Sequence, residues 1–184
     1  SEACATTFID KYGQRAFRRP LASAEKATLL KAWKLGTGTD AFKDGIAAVV
    51  ATILESPQFL YQSEVGEPAE NGVARLTGHE VASRLSFLLW DSVPDDALLA
   101  AAAAGELGTA DGIRSQATRL LGDARARGTI VRFAREWIHL EVPKVGERLD
   151  AAYTQNLLDA MQADFDGFVA DGFLGDGTLA AFFT

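Results

Sequence analysis

The stretch LTGHEVASRLSFLLWDSVPDDALL, Leu76–Leu99, decides how the rest of this 184-residue chain is read. Thr77 and Glu80 stand at Ncap and N3 spacing, the pattern in which each side chain satisfies the other residue's backbone N–H. Behind that cap, Val81, Leu85, Leu88 and Leu89 recur at helical spacing and predict a stripe facing a core. Ser92 and Pro94 stop the helix, and Asp95 and Asp96 open the next. The reading is two helices meeting at a corner that carries Trp90.

Working outward, every other apolar pattern also has the helical period. Ala5, Phe8, Ile9, Tyr12 and Ala16 predict a helix over 3–17, ended by Phe17-Arg18-Arg19-Pro20, because the residue before proline is pushed from helical geometry. Ser23 caps a second helix over 24–35, which stops at Gly36-Thr37-Gly38. Asp40 or Thr39 starts a third, whose nearly charge-free run Ile46–Leu54 predicts burial on more than one side. Pro57 ends or kinks it, and Phe59, Leu60 and Tyr61 continue its apolar surface. Residues 64–74 lack periodicity and form a loop.

Beyond the opening stretch, alanines 100–104 extend its second helix to Gly105. Thr109 or Asp111 caps a helix with Ile113, Ala117, Leu120 and Leu121, and another over 124–140 turns Ile130, Phe133, Ala134 and Trp137 inward. A loop over 141–149 precedes a last helix over 150–171 with Leu157, Leu158, Met161, Phe165, Phe168 and Val169 inward. Trp33, Trp90 and Trp137 read as core. No segment alternates as a strand would. The expectation is an all-α, multi-helix bundle of about seven to nine helices, divided into 1–63, a loop over 64–75, and 76–184. The apolar end around Phe182 and Phe183 reads as an interface covered by a further segment, or as the edge of a fragment.

Charge narrows the function classes. Residues 1–63 hold eight Lys/Arg against six Asp/Glu, and residues 64–184 hold ten against nineteen. An acidic surface argues against non-specific binding to nucleic acid or anionic membrane. The apolar runs are too short to span a bilayer, and residues 1–20 have no apolar leader core. Cys4, the single cysteine, is either a small buried residue or half of a disulfide with a partner outside this sequence.

Candidate chemistry is sparse. Arg15, Arg18 and Arg19 form the one compact basic cluster, read either as an anion or carboxylate site or as partners of neighbouring acids and helix carbonyls. Arg84, inside the organising helix, reads either as a pocket residue or as half of an ion pair. Asp91, Asp95 and Asp96 lack the spacing of a calcium loop and suffice as caps and first-turn charges. His79 reads as solvated and His139 as a helix C-terminal residue. No strained nucleophile turn, phosphate-cradling loop or cysteine–histidine metal pattern occurs. Neither a catalytic set nor a metal site is therefore expected.

Three segments carry a resemblance: ATTFIDKYGQRAFRRPLASAE, ILESPQFLYQSEV, and LTGHEVASRLSFLLWDSVPDDALLAAAAAGEL with RLLGDARARGTIVRFAREWI. Together they resemble helical modules of unknown function in large secreted proteins of planctomycetes, myxobacteria and relatives. Ala124, where proline is usual, and His79, where an aromatic is usual, depart from the pattern. The resemblance brings no catalytic residues. It implies a secreted or periplasmic setting and company with c-type haem segments, whose CxxCH attachment motif is absent here. Any haem would therefore sit on a partner, either the remainder of the same precursor or another chain. Two functional expectations follow: a structural or docking module of a redox protein, or an enzyme module, perhaps hydrolytic, with Arg18, Arg19, Arg84 and Asp95 in one polar pocket.

Overall fold

The computed structural model describes residues 1–37, 40–68, 72–140 and 154–175. Ten α-helical segments occur among them: α1 Glu2–Phe8, α2 Gln14–Phe17, α3 Ser23–Trp33, α4 Ala41–Leu54, α5 Pro57–Leu60, α6 Gly78–Trp90, α7 Asp96–Ala103, α8 Ala110–Leu121, α9 Ala124–Trp137 and α10 Gln155–Leu174. A π-helical stretch, Ile9–Gly13, joins α1 to α2 in one continuous helix. The fold is all-α. Two strands of two residues, β1 Glu67–Pro68 and β2 Ala74–Arg75, pair antiparallel within the stretch expected to be a plain loop.

The chain divides into two compact units. The first comprises Ser1–Phe87 and Ser92–Arg114; the second comprises Leu88–Asp91 and the described residues from Ser115 onward. In the first, Ile9, Phe17, Leu21, Leu29, Ala32, Val49 and Ile53 form one buried cluster. The π stretch lays Gly13 so close to Leu21 that a Cβ there would stand 2.6 Å from its Cδ1. Helices α3 and α4 meet just as tightly. A Cβ on Gly45 would fall 2.3 Å from the Trp33 carbonyl oxygen, so only glycine admits that crossing. Burial of α4 is nevertheless one-sided, because Val50 and Leu54 are exposed opposite Val49 and Ile53. The charge-free run does not mark a helix surrounded by protein.

Helix caps follow the sequence closely. Asp40 accepts from the Lys43 N–H, Ser56 from Gln58, Asp95 from Leu98 and Thr154 from Leu157. At α8 the cap is Thr109, whose hydroxyl accepts from Gly112. At α3 the expected Ser23 is already helical. Ala22 stands at Ncap, and its N–H is met by the Glu25 carboxylate. Pro57 opens α5 rather than merely ending α4, since its missing N–H is unneeded at a first helical position.

Two faces of α6 differ from expectation. Ala82, Ser86 and Trp90 are its buried residues, while Leu88 is exposed and Leu85 only half-buried. At the start of α6 neighbouring backbone approaches closely: a Cβ on Gly78 would lie 2.9 Å from the Ala102 carbonyl oxygen of α7.

In the second unit, α9 and α10 pack through Val131, Ala134, Val169 and Ala170, with Ile130 and Phe165 against them. Arg135 of α9 forms an ion pair with Asp166 of α10. Trp90 lies in this unit under the Arg125 guanidinium, 3.3 Å from its ring centre, and its indole N–H donates to the Leu120 carbonyl at 2.9 Å. The expected inward faces of both helices are only partly realised: Phe133, Trp137, Leu157, Met161 and Phe168 are exposed. Phe182, Phe183 and the loop over 141–149 lie outside the described residues.

The Thr77–Glu80 cap holds more than α6. Glu80 accepts from the N–H groups of Thr77 (2.7 Å), Val65 (2.8 Å) and Gly66 (2.9 Å), so one carboxylate ties the segment before β1 to the helix. Glu80→Ala should cost about 2 kcal/mol in urea unfolding, as charge-assisted hydrogen bonds do, with Glu80→Gln recovering part of it.

Candidate functional site

A cleft of about 330 Å³ opens in the first unit where α2, α5 and the start of α6 converge. The chain reaches it through a reversal at Arg18, which takes left-handed backbone angles (φ 58°) as α2 ends. That turn sends two consecutive arginines to different fates.

Arg18 is 7 % exposed, and its guanidinium donates to the carbonyls of Gln58 (2.8 Å), Tyr61 (2.8 Å), Phe59 (3.5 Å) and Ala16 (3.1 Å). These include the last carbonyls of α5, which have no acceptor role left inside so short a helix. The Phe87 ring lies 5.9 Å away. No carboxylate pairs with Arg18 among the described residues. Burial, then the neighbouring Arg19, lowers its pKa from the ordinary arginine value.

Arg19 forms a two-pronged pair with Glu25, at 2.9 and 2.7 Å. This hydrogen bonding raises the arginine's pKa and holds the Glu25 carboxyl below its usual range. On the other wall, burial works against the charged form of Glu80, but the hydrogen bonds from Gly66, Thr77 and Val65 prevail and keep it ionised.

His79 also lines the cleft. It is half-buried rather than solvated, and its Nε2 finds no hydrogen-bond partner among the described residues. Burial, aided by Arg19, pushes the imidazole pKa down. Gln58, Gln62, Ser63 and Ser83 complete the polar lining, with Phe17, Tyr61 and Val65 supplying apolar wall.

Of the four residues expected in one polar pocket, the structure brings together Arg18 and Arg19. Arg84 is not among the lining residues. Its side chain is 64 % exposed and pairs with Glu64 at 3.4 Å, so its place in the organising helix does not bury it. Asp95 is committed to the N-terminus of α7, accepting from Leu98 at 2.8 Å. Asp91 pairs instead with Arg132. Cys4 is an exposed free thiol, which removes the buried reading. His139 follows α9 with φ 54° and is exposed, as a C-terminal position implies. The polar residues that sequence reasoning missed, Gln58, Gln62, Ser63 and Ser83, lie within or beside two quoted motifs, but nothing in residue type or spacing marks them. Among the described residues no group of three or more His, Cys, Asp or Glu is placed to hold a metal, and no helix is long and apolar enough to cross a membrane.

Two family models match this chain. One, PSD4, described as a protein of unknown function (DUF1592), covers residues 76–184, and the other, PSD5, described as a protein of unknown function (DUF1595), covers residues 4–64. The chain belongs to the DUF1592 family. No curated protein and no solved structure matches it. The two matched regions meet across the cleft, since Arg18 and Gln58 come from the DUF1595 region and Thr77, His79 and Ser83 from the DUF1592 region.

Stability measurements separate the two arginine roles. Arg18→Lys should lose about 2–3 kcal/mol, because an ammonium cannot span four carbonyls and stays buried. Arg84→Ala should change stability by about 0.5 kcal/mol or less. His79 adds a pH signature. The unfolded imidazole titrates near 6.5 and the folded one lower, so the unfolded state binds more protons between the two. Its contribution is therefore present above about pH 6.5 and is lost as pH falls through that window. His79→Gln should flatten the pH dependence of the urea midpoint there, leaving the fall below about pH 4.5 that belongs to Glu25 and Glu80.

Proposed function

We propose that this chain is a structural, docking module of a larger secreted or periplasmic assembly, seating a haem-bearing segment of its own precursor or of another chain against the second unit. One observation carries the docking part. On α9, Phe133 and Trp137 stack at 6.0 Å and 17° with 56 % and 66 % of their surfaces in solvent. Exposed stacked aromatics on a stable helix are costly to leave in water and are typical anchors of protein interfaces. Ile138 on α9's end and Leu157 and Met161 on α10 are exposed as well.

The haem and the extracytoplasmic setting rest on the company that such modules keep in the proteins this sequence resembles. The competing enzyme reading needs Arg18, Arg19, Arg84 and Asp95 in one site, and two of the four are committed elsewhere.

The test is native purification followed by intact mass and visible absorption. A second polypeptide with a Soret band is the expected result; a lone, colourless, monodisperse chain overturns the proposal. Trp137→Ala should then weaken the complex by about 2 kcal/mol or more, roughly thirtyfold, with thermal stability nearly unchanged.

A further inference from the structure

The exposed aromatic pair of α9 shares one side of the α9–α10 pair with exposed aliphatic residues of α10. The two helices run antiparallel, since Arg127 pairs with Asp171 and Arg135, further along α9, with Asp166. Their contact line passes through Val131 and Ala134 on α9 and through Phe165 and Val169 on α10. The buried Leu158 lies earlier on the same α10 line. One residue turns a helix by about 100°, so a residue one place before this line lies on one flank and a residue one place after it on the other. Phe133 stands one place before Ala134, with Trp137 a turn further along; Leu157 stands one place before Leu158, with Met161 a turn further along. Arg135 and Asp166 each stand one place after the line. In an antiparallel pair the leading flanks of both helices share a side. The Arg135–Asp166 ion pair therefore closes one side, and Phe133, Trp137, Leu157 and Met161 are exposed on the other. Between these two walls Ile130 and Phe165, half-buried against the core, form the floor.

This groove continues the α9–α10 interface outward, and backbone chemistry limits what can fill it. Its walls are apolar side chains on helices that bond their own backbone. An extended segment laid there would bury N–H and C=O groups with nothing to meet them, whereas a helix brings its backbone bonds with it and offers only side chains. Asp164, three residues after Met161, is the one charge on this stripe of α10 and calls for a single base in an otherwise apolar partner face. We propose that the segment docking on the second unit is an amphipathic helix, lying along this groove as a third helix with a basic residue opposite Asp164. The inference rests on the docking reading and narrows it to one kind of partner.

The probe is a synthetic, tryptophan-free peptide of about four helical turns, with leucines at i, i+3, i+4 and i+7 and a lysine beside them, titrated into the full chain. Trp137 is exposed, whereas Trp90 is buried and Trp33 half-buried, so a blue shift of the emission reports cover over Trp137. The expected result is a saturable blue shift with a midpoint on the order of 10–100 μM, absent in Trp137→Phe, and a gain of peptide helicity in circular dichroism. Met161→Glu, on the facing wall, should raise the midpoint about tenfold or more. Ala163→Glu, exposed on the other side of α10, should leave it unchanged. Leu157→Glu replaces Met161→Glu if that variant unfolds. No shift, an equal shift from a peptide with its leucines scattered or with a central proline, or an unchanged midpoint in folded Met161→Glu overturns the helix and leaves docking standing. The docking reading fails separately, by native purification of a lone chain.

Discussion

Much of the first unit depends on a buried guanidinium that has no acid to pair with among the described residues. A charge removed from water is tolerated only where other groups replace its hydration, and Arg18 finds them in the carbonyls that α2 and α5 leave unsatisfied at their ends. The interaction works in both directions. α5 is a single turn whose last carbonyls have no acceptor role inside it, and the guanidinium meets no carboxylate among the described residues. Together they fix the chain from Ala16 to Tyr61 into one corner, and the left-handed turn at Arg18 is the strain that delivers the side chain there.

Glu80 is the counterpart on the facing wall. It too has no oppositely charged side chain among the described residues, and its carboxylate is met by backbone N–H groups at the start of α6 and before β1. A cation on carbonyls and an anion on N–H groups each follow the polarity of the helix end that they serve. The cleft between them is therefore walled by charges that hold backbone in place.

These arrangements show which features are legible in a sequence. The Thr77–Glu80 cap and the caps at Asp40, Asp95 and Thr109 could be read because a cap is local, three residues reaching back on themselves. Arg15, Arg18 and Arg19 stand out as a cluster in the sequence, but the opposite fates of Arg18 and Arg19 depend on the left-handed backbone at Arg18 and on a helix forty residues away. Burial was the harder question. Apolar period identifies a helix and its stripe, yet it does not say whether the stripe meets the chain's own core. On α6 the buried line is Ala82, Ser86 and Trp90, two of them too small to stand out in a hydrophobicity pattern. On α10, Leu158 and Val169 are buried while Leu157 and Met161, one helical step aside, are open.

Helix α9 takes this furthest. Its arginines are engaged within the chain: Arg125 with Asp123, Arg127 with Asp171, Arg132 with Asp91 and Arg135 with Asp166. Pairs as exposed as most of these contribute little each, about 0–1 kcal/mol, and Arg125–Asp123 joins the helix only to its own N-cap. Val131 and Ala134 pack against α10, and the two largest apolar residues of the helix, Phe133 and Trp137, are exposed. Part of the acidic excess of this half of the chain is thus paired with the arginines of α9, and an aromatic surface is left open on the same helix. A partner for such a face is recognised through apolar shape and contact area, and need not carry the basic charge that the net composition alone would suggest.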